Sequence, residues 1–537
     1  MAVPVGTYTL TFYYLEVTLE VPNVVISTDT TFVPTILEEP KGNDLGCTVW
    51  LDSSPDLGSM PRFGITTTRA AMPVSRDRTH RSWIAPAASA DPNTAVTTIA
   101  DGTRLQRAPG IPIAFVQEVS TSTLRVPIEL AAGSGGGADV SLRSGSNETH
   151  GDARLVFGLD RARDATLATG GVEVFAGGPL DTDNVWMAAG LVANRRPDDQ
   201  IDAHGMARLN YAKSSEHQGE LVALAQALGD GTRDGWAQAR WVSKFDDNKL
   251  ELTAGATVEQ LDLPAPGIAR DIDLAGDLTN RAGGQVGAKW RRKMAGYHQL
   301  VAIARGGGGL RGTTRHDDIT IAVGDDWQLR PNIALQVGVR ADARRFGEAR
   351  AQVLSPRVSL AYDFTMEGRS DVFIAYQRVP HLDDGLPGDW LAAPTRHHDE
   401  LATGVSYLPN AASNAVMFGV GGRARWSADD EAKVGLETWV RYQRGSTVLH
   451  AGATTLGNVG TLVGQRRVID RKANVLYAGT ALRVAPDRRE GGGVLVWKHT
   501  GDRDRERSRS DLSFDFSLEG YGGSEGPGAR LLLGASW

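Results

Sequence analysis

Arg396-His397-His398-Asp399-Glu400 is a dense run of metal-ligand residue types. Imidazoles and carboxylates are the donors of a zinc-type site, but neighbouring residues of a strand point to opposite faces. His397 and His398 could share one ion only across a turn. The preceding "HLDDGLPGDW", residues 381–390, reads either as a calcium or ligand loop or as an exposed loop with no site. A second stretch, "ELAAGSGGGADVSLRSGSNETHG" at 129–151, gathers Gly133, Gly135, Gly136 and Gly137. A phosphate-cradling loop needs a strand before it, a helix after it and a Lys-Ser/Thr pair, so that helix amides face the anion. No Lys follows these glycines, and "ADVSLRSG" alternates with period two as a strand does. A turn or linker and the last hairpin of a larger unit both remain open. Asn147-Glu148-Thr149 matches a glycosylation acceptor, a three-residue pattern that arises easily by chance. Cys47 stands alone, which excludes an internal disulfide and a thiolate zinc site. No Ser/His/Asp set, carboxylate pair or nucleophile elbow stands at recognisable spacing, so neither an enzyme nor a cofactor is expected.

The elements that would carry these residues are β strands. The 63 glycines and the dispersed 11 Tyr, 12 Trp and 13 Phe favour β structure with many tight turns. Charged residues at 23% and hydrophobic residues at 41% are ordinary for a folded chain. No run of 18 apolar residues occurs, which excludes a transmembrane helix and leaves a transmembrane barrel open, because barrel strands need only alternation. A mean hydropathy of -0.25 fits a barrel with a polar lumen and polar loops. The net charge of -7 and pI of about 5.9 argue against nucleic acid as the partner. "RDRERSR" near residue 505 interleaves both signs and reads as a solvated loop. The opening "MAVPVGTYTLTFYY" has no basic n-region and apolar h-region, so either a cytoplasmic protein or a missing beginning is expected.

The chain divides into three parts. Residues 1–38 read as three strands, too few to form a sandwich without a partner layer. Residues 39–148 are irregular and rich in Thr, Ala, Pro and Arg, and need a surrounding structure to hold them. From 149 to 537 the text becomes segments of roughly ten alternating residues separated by Gly, Asp and Asn. In "DLSFDFSLEG" Leu512, Phe514, Phe516 and Leu518 oppose Ser513, Asp515, Ser517 and Glu519. In "PRVSLAYDF" Val358, Leu360, Tyr362 and Phe364 oppose Arg357, Ser359, Ala361 and Asp363, and the last strand sets Leu531, Leu533, Ala535 and Trp537 together. Gly306 to Gly309 read as a turn or kink. No repeat of about 40 residues supports a propeller. The alternation predicts an all-β class, a large antiparallel transmembrane barrel of about 20 strands.

"AFVQEVSTSTLRVPIELAAGSGGGADVSLRSGSNETHG" resembles the end of the plug of TonB-dependent outer-membrane receptors. Glu118-Val119, Glu129, Gly135-Gly136, Arg143-Ser144-Gly145-Ser146-Asn147 and His150-Gly151 sit at positions matching that family's pattern. Asp101-Gly102 falls where the family has its Asp-Gly. "DDWQLRPNIALQVGVRAD" and "LSPRVSLAYDFTMEGRSDVFIAYQRV" look like barrel hairpins of the subgroup with an N-terminal carboxypeptidase-regulatory-like domain, and "VGTYTLTFYY" is similar to the closing half of that domain. The chain departs from the family at Leu130-Ala131 and Asp139, and "ILEEPKGNDLGCTVW" shows no clear TonB box. The resemblance implies a 22-stranded barrel in a Gram-negative outer membrane, so about 20–22 strands with the count above, with an N-terminal plug inside it (39–148) and a partial β-sandwich before it (1–38). It also implies a TonB-type energy-transducing partner and a scarce small-molecule, glycan or peptide ligand admitted past a moving plug. In this reading Arg143 and Glu118 make polar contacts with the barrel interior. A non-transporting surface protein on the same scaffold, serving adhesion or envelope organisation, fits the missing box. A soluble β protein would require the apolar faces to pack on one another.

Overall fold

The computed structural model describes the strands between residues 6 and 104, then 111–124, 128 and 137–146, and from 149 onward the barrel strands with their short connections. The stretches 261–279, 381–396, 408–414, 427–431 and 501–512 and some shorter turns are outside the described residues.

β1 (Gly6–Tyr14) and β2 (Val17–Ile26) form an antiparallel hairpin. Two strands are therefore described where three were expected, and the third span lies outside the described residues. A five-stranded sheet in the order β3-β8-β9-β6-β7 follows, made of β3 (Phe63–Thr68), β6 (Val96–Ile99), β7 (Thr103–Arg104), β8 (Val116–Leu124) and β9 (Gly137–Leu142). β4 (Val74–Ser75) and β5 (Ser82–Trp83) pair as a small hairpin. A 3-10 turn at Ile113–Phe115 leads into β8.

The rest is one closed antiparallel barrel of 22 strands, each bonded to its sequence neighbour. The first half comprises β10 (His150–Ala162), β11 (Ala165–Pro179), β12 (Val185–Arg195), β13 (Ile201–Ala212), β14 (His217–Ala227), β15 (Arg233–Phe245), β16 (Asn248–Gln260), β17 (Asn280–Met294), β18 (His298–Arg311), β19 (Thr314–Arg330) and β20 (Ile333–Phe346). The second comprises β21 (Ala349–Asp363), β22 (Asp371–Pro380), β23 (His397–Tyr407), β24 (Ala415–Trp426), β25 (Lys433–Arg444), β26 (Thr447–Thr454), β27 (Val459–Arg471), β28 (Asn474–Val484), β29 (Arg489–Thr500), β30 (Ser513–Gly523) and β31 (Gly528–Ser536). β31 pairs back onto β10 from Asp152↔Ser536 to Asp160↔Gly528, so no edge remains. Tight turns use residues tolerant of positive φ, Asp246 (49°) between β15 and β16 and Gly347 (56°) between β20 and β21.

Alternation decides which way each side chain points. On β30 Phe514, Phe516 and Leu518 are exposed outward, while Ser513, Asp515, Ser517 and Glu519 are buried in the lumen. On β21 Val358, Leu360 and Tyr362 face out, and Ser359 and Ala361 face in. At about 3.4 Å per residue and a tilt of about 40°, the outward run from Leu354 to Tyr362 is about 21 Å tall, close to the apolar band of about 25 Å of an outer-membrane barrel. Gly306 to Gly309 are not a turn. They lie inside β18, paired with Val286 to Gly283 on β17, where adjoining glycines let the backbones approach.

Antiparallel succession places the start of β10 and the end of β31 at one end of the barrel. Exposed Tyr211, Trp241, Trp327, Tyr362, Trp497 and Trp537 lie toward that same end. The two longest connections, 261–279 and 381–396, are at the other end. By the pattern of outer-membrane barrels, the end with the two longest connections corresponds to the outer rim, and the aromatic-girdled end, which also carries the 501–512 connection, to the periplasmic rim.

Candidate functional site

The plug meets the wall through three kinds of contact. The first is apolar: Ile111, Ile113, Ala114, Phe115, Val116, Val140 and Leu142 pack with wall residues of β11 to β15, among them Phe175, Val192 and Trp236. Phe115 is fully buried because Gly190 on β12 has no side chain; a Cβ there would stand 2.6 Å from the Phe115 ring. Sequence alternation marks Gly190 only as a lumen position, so this seat was not readable in advance.

The second contact is electrostatic. β9 ends at Leu142, and Arg143 turns its guanidinium into the wall, where it is 2% exposed. Nη1 lies 2.6 Å from the Asp152 carboxylate and donates to the Ala114 carbonyl at 3.2 Å, while the guanidinium sits 3.4 Å over the centre of the Phe175 ring. Asp152 also meets Arg154 at 3.1 Å, and Arg154 Nε reaches Asp515 at 3.3 Å. Asp515 belongs to β30, so Arg154 on β10 must reach across β31. It does so at Gly534, the residue paired with both, whose added Cβ would stand 2.5 Å from Asp515 Oδ1. Glu173, fully buried, is the cross-strand partner of Arg154. Taking these charges out of water is costly, and Arg143, Asp152, Arg154 and Asp515 are held by opposite charges at short range.

A second ladder steadies the same plug segment. Arg208 donates to the Leu142 carbonyl at 2.5 Å and pairs with Glu220 at 3.1 Å, Glu220 lies 3.7 Å from Arg240, and Arg240 meets Glu251 at 3.2 Å. The backbone oxygen and the side chain of successive plug residues are therefore gripped by β13 and β10.

The third contact lies on β18 to β20, eight to ten of the 22 strands round from β10. Ile128 packs on Val301, Ile303 and Ala322. It fills a notch left by Gly324 on β19 and Gly338 on β20, where added Cβ atoms would stand 3.3 and 2.5 Å from its side chain.

Of the residues singled out by motif, Arg143, Ser144, Gly145, His150 and Gly151 are brought together where the chain enters the wall. Gly145 lies against β12, its added Cβ 2.5 Å from the Met187 carbonyl oxygen. His150 Nδ1 stands 3.2 Å from Ser146 Oγ, and Gly151 exchanges backbone hydrogen bonds of 2.9 and 3.0 Å with Trp537, completing the seam. Glu118 lies in β8 beside Ser141 of β9, and only its backbone is described. Asp101, Gly102, Glu129, Gly135, Gly136 and Asn147 are outside the described residues, as are Cys47, Arg396 and the 381–390 loop. His398 faces the lumen, buried, and His397 faces outward, one on each side of β23. Glu400 is lumenal and hydrogen-bonds Gln377 at 3.0 Å, with Arg423 at 3.5 Å. Asp399 faces outward, hydrogen-bonded by Tyr376 at 2.8 Å and Arg378 at 2.9 Å. The run is thus split between the two faces of the wall.

No protein family's sequence profile matches the chain, and no curated protein does. Solved structures do. The siderophore receptor PirA from Pseudomonas aeruginosa superposes with a TM-score of 0.63 at 11% identity, covering 89% of this chain and 100% of that one. The ferric enterobactin receptor PfeA from the same organism, as its G324V mutant, gives 0.64 at 10%, covering 88% and 98%. The ferric-catecholate import receptor Fiu from E. coli K12 gives 0.63 at 9%, covering 91% and 100%. At such identities the likeness speaks for architecture: the chain has the β-barrel fold of these outer-membrane receptors.

Proposed function

We propose that this chain is an outer-membrane receptor that binds a scarce ligand at its outer rim and admits it when a TonB-type partner moves the plug. The observation that carries this reading is the Arg143–Asp152 pair. A plug segment is fixed inside a closed barrel by a short, buried ion pair rather than by covalent continuity alone, so it can be displaced and can return. The lumen wall above it carries paired charges, among them Arg340 with Asp342 at 2.8 Å and Arg423 with Glu437 at 3.6 Å. The neighbours named as siderophore and ferric-catecholate receptors make ferric chelates the first ligands to test.

The test is a reversible lock. In a Cys47→Ser background, Ile128→Cys with Gly324→Cys would tie the plug to β19, because an added Cβ at Gly324 faces the Ile128 side chain at 3.3 Å. Expressed with a signal peptide in a strain lacking its own ferric-chelate receptors, the unlocked protein should support growth or uptake on at least one chelate. The locked protein should not until a reductant is added, and a protonophore should abolish uptake by the unlocked form. Uptake that is indifferent to the lock and to the protonophore would sink energised transport. No uptake of any chelate by protein correctly inserted in the outer membrane would favour a surface role on the same scaffold.

A further inference from the structure

Going round the wall from β10, the packing of the plug reaches β15 at Trp236 and is taken up again on β18 at Val301 and Ile303, with β16 and β17 between. The lumenal face there is bare. A Cβ added at Gly255, Gly283, Gly287, Gly307 or Gly309 would meet only atoms of neighbouring wall strands among the described residues, whereas one at Gly190, Gly324 or Gly338 meets a plug side chain. This lane runs down to charge. At its periplasmic end Lys244 faces Lys249 across β15 and β16, and Lys249 faces Arg291 across β16 and β17, on the same side of the wall as buried Glu251. Like charges placed directly opposite destabilise a sheet, and here three stand in a row. One step up, Glu251 faces Lys289 and accepts from Arg240 at 3.2 Å, so the nearest carboxylate is already engaged. Lys249 lies in the field of Arg240, Lys289 and Arg291 against Glu251 alone. Neither Lys244 nor Lys249 makes an ion pair among the described residues, and neither do the exposed acids of the adjoining turn, Asp246 and Asp247.

We propose that Lys244, Lys249 and Arg291 form an anion-binding site at the periplasmic mouth of the lumen, which takes a ligand carrying at least two carboxylate or phosphate groups as it leaves the barrel. The site rests on the transport reading only for the source of its ligand. Neighbouring strands are about 4.8 Å apart, so the row spans about 10 Å, wider than one oxyanion and suited to two. The lysines supply compact point charges, and Arg291 supplies a planar fork that fits carboxylate and phosphate alike. A cleft lined by one sign of charge concentrates the opposite ion, so an anion moving down the lane is drawn to this mouth. Lys244 is exposed there, and water and salt weaken the grip enough for release into the periplasm.

The experiment is lysine footprinting of the detergent-solubilised full chain. The protein is briefly acetylated with an N-hydroxysuccinimide ester in citrate, inorganic pyrophosphate, glucose, or sodium chloride of matched ionic strength, and each lysine is read by peptide mass spectrometry. Citrate and pyrophosphate should slow acetylation of Lys244 and Lys249 by at least about threefold, a protection that grows with ligand concentration over Kd. Glucose and the salt control should leave both unchanged, and exposed Lys433 at the outer end of β25 should respond to none of them. Arg291→Gln should raise the citrate concentration for half-protection about tenfold, and Arg291→Lys by less, with the heat-dependent mobility of the barrel intact. Protection no greater than the salt control, or protection indifferent to Arg291→Gln, would overturn the site. So would lysines that are unreactive without any anion and become reactive in Arg143→Ala, because the plug itself would then occupy the row. The footprint needs no uptake. Its failure leaves transport to be judged by the lock and the protonophore, and failure of transport leaves an anion site without a cargo.

Discussion

The plug is held at two separate walls by unlike means. At β10 a guanidinium is buried against a carboxylate, an aromatic face and a carbonyl, and the charge chain continues across the barrel seam to Asp515. At β19 and β20 a single Ile128 fills a notch floored by glycine. An ion pair in a dry site is specific in place and unforgiving of a lost partner. An apolar contact is tolerant of small displacements, because its strength follows the area covered and not an angle. The difference makes the Arg143 wall the fixed end of the plug and the Ile128 wall the end that can slip.

Removing the charge should therefore have the largest effect. Arg143→Ala takes from the buried Asp152 its partner at 2.6 Å, and breaking a buried pair on one side costs about 3–5 kcal/mol. The expected outcome is a plug that becomes protease-sensitive while the barrel still shows its heat-dependent gel mobility. Arg143→Lys restores charge without the planar stacking on Phe175 and should recover only part of the protection. If Arg143→Ala protein resists proteolysis as wild type does, the fixed-end assignment is wrong.

The notch comes next. Gly338→Val puts a side chain where Ile128 sits and should weaken plug docking by about 1–3 kcal/mol, the usual range for overpacking. Ile128→Ala, at a half-buried site, should cost about 1–2 kcal/mol, below the range for a fully buried residue. The combination should be milder than the sum, since the small residue vacates the space the Val needs, and a double-mutant cycle on protease protection measures that coupling. Strict additivity would mean that the two side chains do not meet.

These two contacts also differ in how far the sequence announces them. Alternation in 513–519, 357–364 and 529–537 assigns inward and outward faces correctly, because a barrel wall has lipid on one side and a polar lumen on the other, while Leu512 lies outside the described residues. The segment around Arg143 can be picked out by its motif, but Asp152, Phe175 and Asp515 cannot be named as its surroundings, because they are set by cross-strand register and barrel closure. The glycines are harder still. Gly190, Gly324, Gly338 and Gly534 matter for the side chain that crosses above each, and that neighbour lies on another strand or in the plug. The Gly306 to Gly309 run misleads for the same reason: the signal of a turn was in fact close packing of β17, β18 and β19.

The smallest effect belongs to a charge pair of the same chemistry as the Arg143 anchor in the opposite environment. Arg195 Nη2 and Asp199 Oδ1 are 2.7 Å apart, close to the Arg143–Asp152 separation, but their side chains are 65% and 76% exposed at a rim turn. Water competes for both partners, and two long side chains must be ordered to meet, so exposed pairs contribute about 0–1 kcal/mol. Arg195→Ala should leave plug protection and heat-dependent mobility unchanged within error, with no dependence on salt. A loss comparable to that of Arg143→Ala would show that distance alone sets the strength of such pairs, and the contrast between the two walls would then need an explanation other than burial.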